Sequence, residues 1–263
     1  VVTELQNALA CAGRIFELIE EPAEIAEKEP ADKIQNQAGV VELNNVSFSY
    51  VKEKPLIQNF NLKVEPGQRI AIVGPTGCGK TTLINLLMRF YDANEGIVRI
   101  NGKDVRSYTP EELTAMFGVV FQNDFLYADT IEENIRFGRD ITKEDIVEAA
   151  KTAQAHDFIT ATADGYSHML SSKGTNLSGG QRQRVLIARA IALKPEILIL
   201  DDSSSALDYK TDANLRKALD ENMSGSTIIT VAQRVSSVKN CDHIIVIDDG
   251  RVIGQGKHEY LLE

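Results

Sequence analysis

Ile70-Ala71-Ile72-Val73-Gly74-Pro75-Thr76-Gly77-Cys78-Gly79-Lys80-Thr81-Thr82 is the stretch whose reading decides the fold. A short apolar run enters a glycine-rich turn, and from Gly74 to Thr81 that turn matches G-x-x-x-x-G-K-[ST]. Leu83, Leu86, Leu87 and Phe90 then recur at helical spacing, so the turn is expected to join a buried strand to a helix. Glycines let the backbone wrap so that several N–H groups converge on phosphate oxygens, and the helix N-terminus adds its positive dipole end. Gly74, Pro75, Thr76, Gly77, Cys78, Gly79, Lys80, Thr81 and Thr82 form the candidate cradle. In it Lys80 would neutralise the terminal phosphates of a nucleoside triphosphate, and the Thr81 hydroxyl would ligate Mg²⁺.

A second apolar run, Ile197–Leu200, ends in Asp201. Continuous apolarity is expected of a strand buried on both faces. A carboxylate at the tip of such a strand can hold the Mg²⁺ that bridges phosphates. Thr227–Val231 and Ile244–Ile247 read as similar strands. Upstream, Val41 and Leu43, then Val46, Phe48 and Tyr50, alternate with period two and suggest further strands. Asn101–Gly102 and Asp249–Gly250 mark hairpin turns. From about Thr109 to Ala190 the pattern is mostly helical, with Thr142 and Asp145 placed as a capping box. The expected class is α/β: a mainly parallel sheet carrying the phosphate loop, an antiparallel β subdomain, and an inserted helical subdomain at about 123–190.

Leu5, Leu9, Ala12, Phe16 and Ile19 line one face of an opening helix, and Pro22 and Pro30 then break an acidic stretch that reads as a linker. Residues 1–38 are therefore expected to be helix and linker, and 39–263 the domain proper. The formal net charge of -10 offers no basic stripe for a nucleic acid, so none is expected as partner. Three scattered cysteines, Cys11, Cys78 and Cys241, suggest reduced thiols. No apolar run approaches the roughly 18–20 residues that span a bilayer, so the polypeptide by itself is expected to be soluble and cytosolic. The four histidines show no spacing that suggests a zinc site.

Leu177-Ser178-Gly179-Gly180-Gln181, lying between the phosphate loop and the Asp201 strand, resembles the signature sequence of the ATP-binding-cassette (ABC) family. The resemblance runs from about Val40 to Glu263 and is closest to exporters. It implies a motor domain that binds ATP and Mg²⁺ and dimerises with a second nucleotide-binding domain. Ser178, Gly179, Gly180 and Gln181 would then serve a nucleotide on the opposite subunit. Tyr50 resembles the family's adenine-stacking aromatic. Gln122, in Val119-Val120-Phe121-Gln122, resembles the glutamine that reaches Mg²⁺ and the attacking water. Ser205-Ala206-Leu207-Asp208 resembles the loop that crosses the dimer interface. Asp129-Thr130-Ile131-Glu132-Glu133-Asn134-Ile135 is similar to the exporter stretch that meets the membrane domain. Arg14-Ile15-Phe16-Glu17-Leu18 resembles the segment after an exporter's last membrane span, so a transmembrane domain is expected upstream of Val1. The site would then lie at the cytoplasmic face of the membrane.

Three positions depart from the family's pattern. The residue after Asp201, usually a glutamate that polarises the attacking water, is Asp202. The lost methylene pulls its oxygens back by roughly an ångström. A displacement on that scale can cost about 10²-fold in rate. Gln233 stands where a histidine usually contacts the γ-phosphate, and an amide cannot become cationic. Ser172 stands where exporters generally carry a glutamate. Asp202 and Gln233 together resemble the degenerate half of a heterodimeric exporter, whose partner would carry the glutamate and the histidine. Cys78, inside the loop, is expected to be a site whose alkylation blocks nucleotide binding and which MgATP protects. Two other functions compete: a nucleotide sensor with negligible turnover, and a DNA-associated ATPase sharing both motifs. The DNA-associated class separates the motifs with coiled coils or zinc modules, and neither pattern is present between Thr81 and Leu177.

Overall fold

The computed structural model describes residues 2–20, 38–232 and 238–262. In chain order its elements are α1 (Val2–Ile19), β1 (Val41–Phe48), β2 (Ile57–Val64), β3 (Arg69–Val73), α2 (Lys80–Leu87), β4 (Glu95–Ile100), β5 (Lys103–Asp104) and α3 (Pro110–Ala115). There follow β6 (Phe117–Val120), α4 (Ile131–Arg136), α5 (Lys143–Thr152), α6 (His156–Thr160), α7 (Gly179–Ile191) and β7 (Ile197–Asp201). The last are α8 (Tyr209–Asn222), β8 (Thr227–Val231), β9 (His243–Asp248) and β10 (Arg251–Gly256).

These strands make two sheets. The larger has the order β10-β9-β3-β8-β7-β6, parallel from β9 to β6 with β10 antiparallel at one edge. The smaller, β2-β1-β4-β5, is antiparallel throughout. This is the α/β class expected from the sequence. The apolar continuity of β7 has a direct cause. Ile197 and Ile199 face the core shared with α2 and the smaller sheet, whereas Leu198 and Leu200 face the core built by α4, α5, α7 and α8. Every residue of β7 is buried, so no polar alternation is possible.

The period-two run at 41–50 is a single strand with a fault in it. Pairing with β2 slips between Leu43 and Val46 and pairing with β4 between Asn44 and Ser47, and Asn45, inside both slips, adopts φ 51°. The slip is what lets Leu43 and Val46, an odd number of residues apart, both face the core. Tyr50 lies beyond the strand end. The helix after the glycine-rich turn stops at Leu87, and Arg89 turns to φ 54°. Phe90, placed on the helical face by spacing alone, is exposed. The cap of α5 is likewise partly as expected: Thr142 Oγ1 accepts from the Asp145 N–H at 3.1 Å. Asp145 returns a contact to the Thr142 hydroxyl, not to its backbone N–H, since an aspartate is shorter than the glutamate of a full box.

Both hairpin turns form where Asn101–Gly102 and Asp249–Gly250 place two consecutive left-handed residues. Gly250 has a second constraint. At φ 72° its backbone is pressed against the entry to β2, so a Cβ there would fall on the Leu56 carbonyl oxygen. Gly250→Ala is expected to cost about 2–4 kcal/mol, through left-handed strain and a backbone clash combined. The check is the shift of a chemical-denaturation midpoint, and an unchanged midpoint would contradict this packing.

One buried polar knot fixes the helical region to the larger sheet's edge. Arg189 of α7, 7% exposed, donates to the Asn134 carbonyl at 2.9 Å, to Asn134 Oδ1 at 2.9 Å and to the Phe125 carbonyl at 3.0 Å. Burial pushes its guanidinium pKa down, and the neighbouring Asp124 carboxylate opposes that. The knot ties the loop leaving β6 to the helix that begins at Gly179. At the other end of the chain, α1 is a helix as its stripe predicts, but Leu5, Leu9, Phe16 and Ile19 are all exposed. Among the described residues no helix is long and apolar enough to cross a membrane.

Candidate functional site

The C-terminal ends of β3, β6, β7 and β8 converge on one side of the larger sheet, as ligand sites of open parallel sheets do. There they enclose a cavity of about 200 Å³ lined by Leu56, Thr76, Gly77, Gly79, Lys80, Thr81, Thr82, Gln122, Asp201, Asp202 and Val231. The sequence motifs account for nine of the eleven. Leu56 and Val231 carry no motif, and only their places beside strand ends could have suggested them.

The loop between β3 and α2 is shaped by residues without side chains. Gly77 and Gly79 have φ 85° and 104°, and a Cβ on Gly79 would meet the Ile57 side chain at 2.5 Å. Lys80 opens α2 and reaches back over the loop, its Nζ donating to the carbonyls of Gly74 at 2.8 Å and Pro75 at 2.6 Å. One flexible cation is thus held at the mouth of the turn by two carbonyls, with Cys78 Sγ 3.7 Å from it. Cys78 lies inside the loop, as its place in the motif requires. It is 5% exposed and packs into the core beneath the loop, so a reagent reaches its thiol only if the loop opens. The reason is packing: with glycine on either side, this residue is the loop's contribution to the apolar layer under it.

Two oxygen-bearing side chains meet at the floor. The Thr81 hydroxyl donates to Asp201 Oδ2 at 3.1 Å. Asp201 is 2% exposed. Burial pushes its carboxyl pKa up, the Thr81 hydrogen bond pulls it back, the Asp202 charge raises it further, and Lys80 lowers it. A buried carboxylate facing a hydroxyl is a donor set of hard oxygens, suited to a small divalent cation. Asp202 sits at the rim of the same cavity with φ 50°, its N–H donating to the Val231 carbonyl at 2.9 Å. Left-handed backbone is easier for aspartate than for most residues. Gln122, two residues past β6, is exposed and lines the same cavity.

Other candidate residues lie elsewhere. Tyr50 does not line the cavity but touches one residue that does, its hydroxyl lying 3.3 Å from Thr82 Oγ1. Ser178 caps α7 in a reciprocal box: its Oγ accepts from the Gln181 N–H at 3.2 Å, and Gln181 Oε1 accepts from the Ser178 N–H at 3.0 Å. Gly179 and Gly180 pass close to Ala206, and a Cβ on Gly180 would lie 3.2 Å from the Ala206 carbonyl oxygen, a tight contact. None of Ser178, Gly179, Gly180 and Gln181 lines the cavity. Asp208 caps α8, its carboxylate accepting from the Thr211 N–H at 2.9 Å and from the Thr211 hydroxyl at 2.7 Å. The backbone hydrogen bond from Thr211 leads the causes that hold its pKa below the usual carboxylate range. Gln233 lies outside the described residues.

Known proteins resemble this chain in sequence and in shape. The family described as ABC transporter matches residues 57–205. The fatty acid ABC transporter ATP-binding/permease protein of Mycobacterium bovis is 40% identical over 98% of this chain and 41% of its own length. The ATP-dependent lipid A-core flippase of Syntrophus aciditrophicus is 38% identical over 98% of this chain and 43% of its own length. Among solved structures, a bacterial Atm1-family ABC exporter with ATP bound superposes with a TM-score of 0.90 at 37% identity. It covers 98% of this chain and 45% of the exporter chain. The chain therefore spans less than half the length of these relatives.

Proposed function

This chain belongs to the ABC transporter family, and from that premise we propose that it is the MgATP-binding motor domain of an exporter with a weakened hydrolytic site of its own. The observation that supports this most is the floor of the cavity. The Thr81 hydroxyl and the Asp201 carboxylate lie 3.1 Å apart, with Lys80 lining the same space. Residues 39–263 would form the domain, with about 123–190 as its helical subdomain.

In this reading Lys80 exchanges its two carbonyl acceptors for the terminal phosphate oxygens of ATP, a stronger, charge-assisted pairing. The loop from Gly74 to Gly79, with Thr81 and Thr82, wraps the phosphates. Thr81, Asp201 and Gln122 would hold Mg²⁺, which when bound offsets negative charge on the phosphates. Asp202 orients the water that attacks the γ-phosphorus. As its oxygen bonds to phosphorus the β–γ bridging bond breaks, and Asp202 takes up the water proton. The short Asp202 side chain and the amide at Gln233 make this step slow.

The intact signature at Ser178–Gln181, away from the chain's own cavity, would close over the nucleotide of a second nucleotide-binding domain. That partner is proposed to be a hetero-partner half-transporter that supplies the glutamate and histidine lacking here. Asp208 and the loop before it would cross that interface. A transmembrane domain in the same polypeptide would seat beside residues 129–135. The half-exposed Phe125, Tyr127 and Phe137 beside that stretch supply an apolar contact face. Location at the cytoplasmic face of the membrane follows.

Calorimetric titration tests the reading directly. ATP is expected to bind with affinity that falls sharply when Mg²⁺ is chelated, while steady-state hydrolysis stays low. No binding of ATP with Mg²⁺ present would remove the proposal. The Asp202 side chain also favours a second reading, a sensor that binds ATP without turnover, and total absence of hydrolysis in the assembled transporter would select it.

A further inference from the structure

Tyr50 has no strand to hold it, since β1 ends at Phe48, and half of its surface is exposed. An exposed aromatic of that kind normally samples several rotamers. Here it is restrained at both ends. Asn85 Nδ2 donates to its hydroxyl at 3.2 Å, and the same hydroxyl lies 3.3 Å from Thr82 Oγ1. Its ring meets Phe48 and Tyr91 edge-on, each with a centroid 4.9 Å away and planes at 87° and 86°. Thr82 and Asn85 belong to one turn of α2, the helix that Lys80 opens, so the phosphate loop and the aromatic corner ride on the same rigid element.

We infer that Asn85 is a positioning residue for base recognition: it latches Tyr50 to α2, with Tyr91 as a perpendicular brace. The ring is thereby fixed as a platform for a planar purine at a set distance from the triphosphate. This rests on the proposal that the site takes ATP, and deepens it. The latch removes rotamer freedom from Tyr50 before the ligand arrives, so stacking costs less order on binding. Asn85 itself touches neither phosphate loop cavity nor base. Its effect is transmitted through the Tyr50 hydroxyl alone.

That route gives a test a merely structural role would not pass. The affinities of the Asn85→Leu, Tyr50→Phe and doubly substituted proteins are measured for MgATP and for magnesium tripolyphosphate, which has phosphates but no base. Asn85→Leu is expected to weaken MgATP by about three- to tenfold, the worth of one hydrogen bond, and to leave tripolyphosphate within about twofold. Tyr50→Phe should do the same, and the double substitution no more than either single one. Equal losses for both ligands, additive losses, or an unchanged MgATP affinity in Asn85→Leu would each overturn the latch. If the unsubstituted protein binds neither ligand, the ATP-site reading fails first, and the latch with it.

Discussion

Lys80→Ala is expected to reduce MgATP affinity by about 10²- to 10³-fold while leaving the protein folded. The size follows from what the side chain does. Its Nζ already bridges two carbonyls across the mouth of the loop, at Gly74 and Pro75. A triphosphate offers the same ammonium at least two anionic oxygens, and a charge-assisted hydrogen bond is worth about 1.5–3 kcal/mol. Two of them lost give about 3–4 kcal/mol at the lower end, and about 1.4 kcal/mol is tenfold in affinity. Folding is spared because the core under α2 is made by Leu83, Ile84, Leu86 and Leu87. Lys80→Arg keeps the charge but not the compact ammonium, and should recover only part of the loss. Titration calorimetry with Mg²⁺, alongside thermal unfolding of the free proteins, decides it. Binding within about twofold of the unsubstituted protein would show that this lysine faces no phosphate.

How much of this could be read beforehand depended on the physics of each part. The strands β3, β7, β8 and β9 were legible because burial on both faces favours unbroken apolar runs, and the hairpins at 101–102 and 249–250 because two consecutive left-handed residues favour Asn-Gly or Asp-Gly. The bulge at Asn45 was not legible, because alternation resumes after it and looks like a fresh strand. Phe90 misled because spacing reports a helical face but not where the helix ends. At the site, the cradle and Asp201 stood out because the G-x-x-x-x-G-K-[ST] pattern and an apolar strand ending in a carboxylate restrict the residue types allowed there. Leu56 and Val231 escaped because they contribute only shape. Arg189 and Asn134 escaped for another reason: a buried polar pair is recognised by the partners it finds across 55 residues, and spacing carries no trace of them. The burial of Cys78 was not legible either, since spacing places it in the loop but does not report that its side chain packs into the core.

The combined substitution Asp202→Glu with Gln233→His is expected to raise steady-state ATP hydrolysis by about 10²-fold, or about 2.7 kcal/mol in barrier height. Asp202 already stands at the cavity rim beside Asp201, so glutamate needs no new direction, only the added reach. Histidine at 233 adds a group that can be cationic near neutral pH, which glutamine cannot. Neither change alone should suffice. A correctly placed carboxylate without the cation, or the reverse, leaves the transition state half supported, so the singles should fall well short of the double. On the proposed reading, in which Ser178–Gln181 serves the nucleotide of a second domain, two copies of the double variant would complete two whole sites without any other chain. The gain has a structural cost, since position 202 is left-handed and glutamate lacks the aspartate's tolerance for φ near 50°. A loss of up to about 1 kcal/mol in stability should therefore accompany the faster turnover. If the unsubstituted protein already hydrolyses ATP within about threefold of the double variant, the weakness assigned to this site is not there. The short carboxylate would then have to reach the water by a shift of the strand end that carries it.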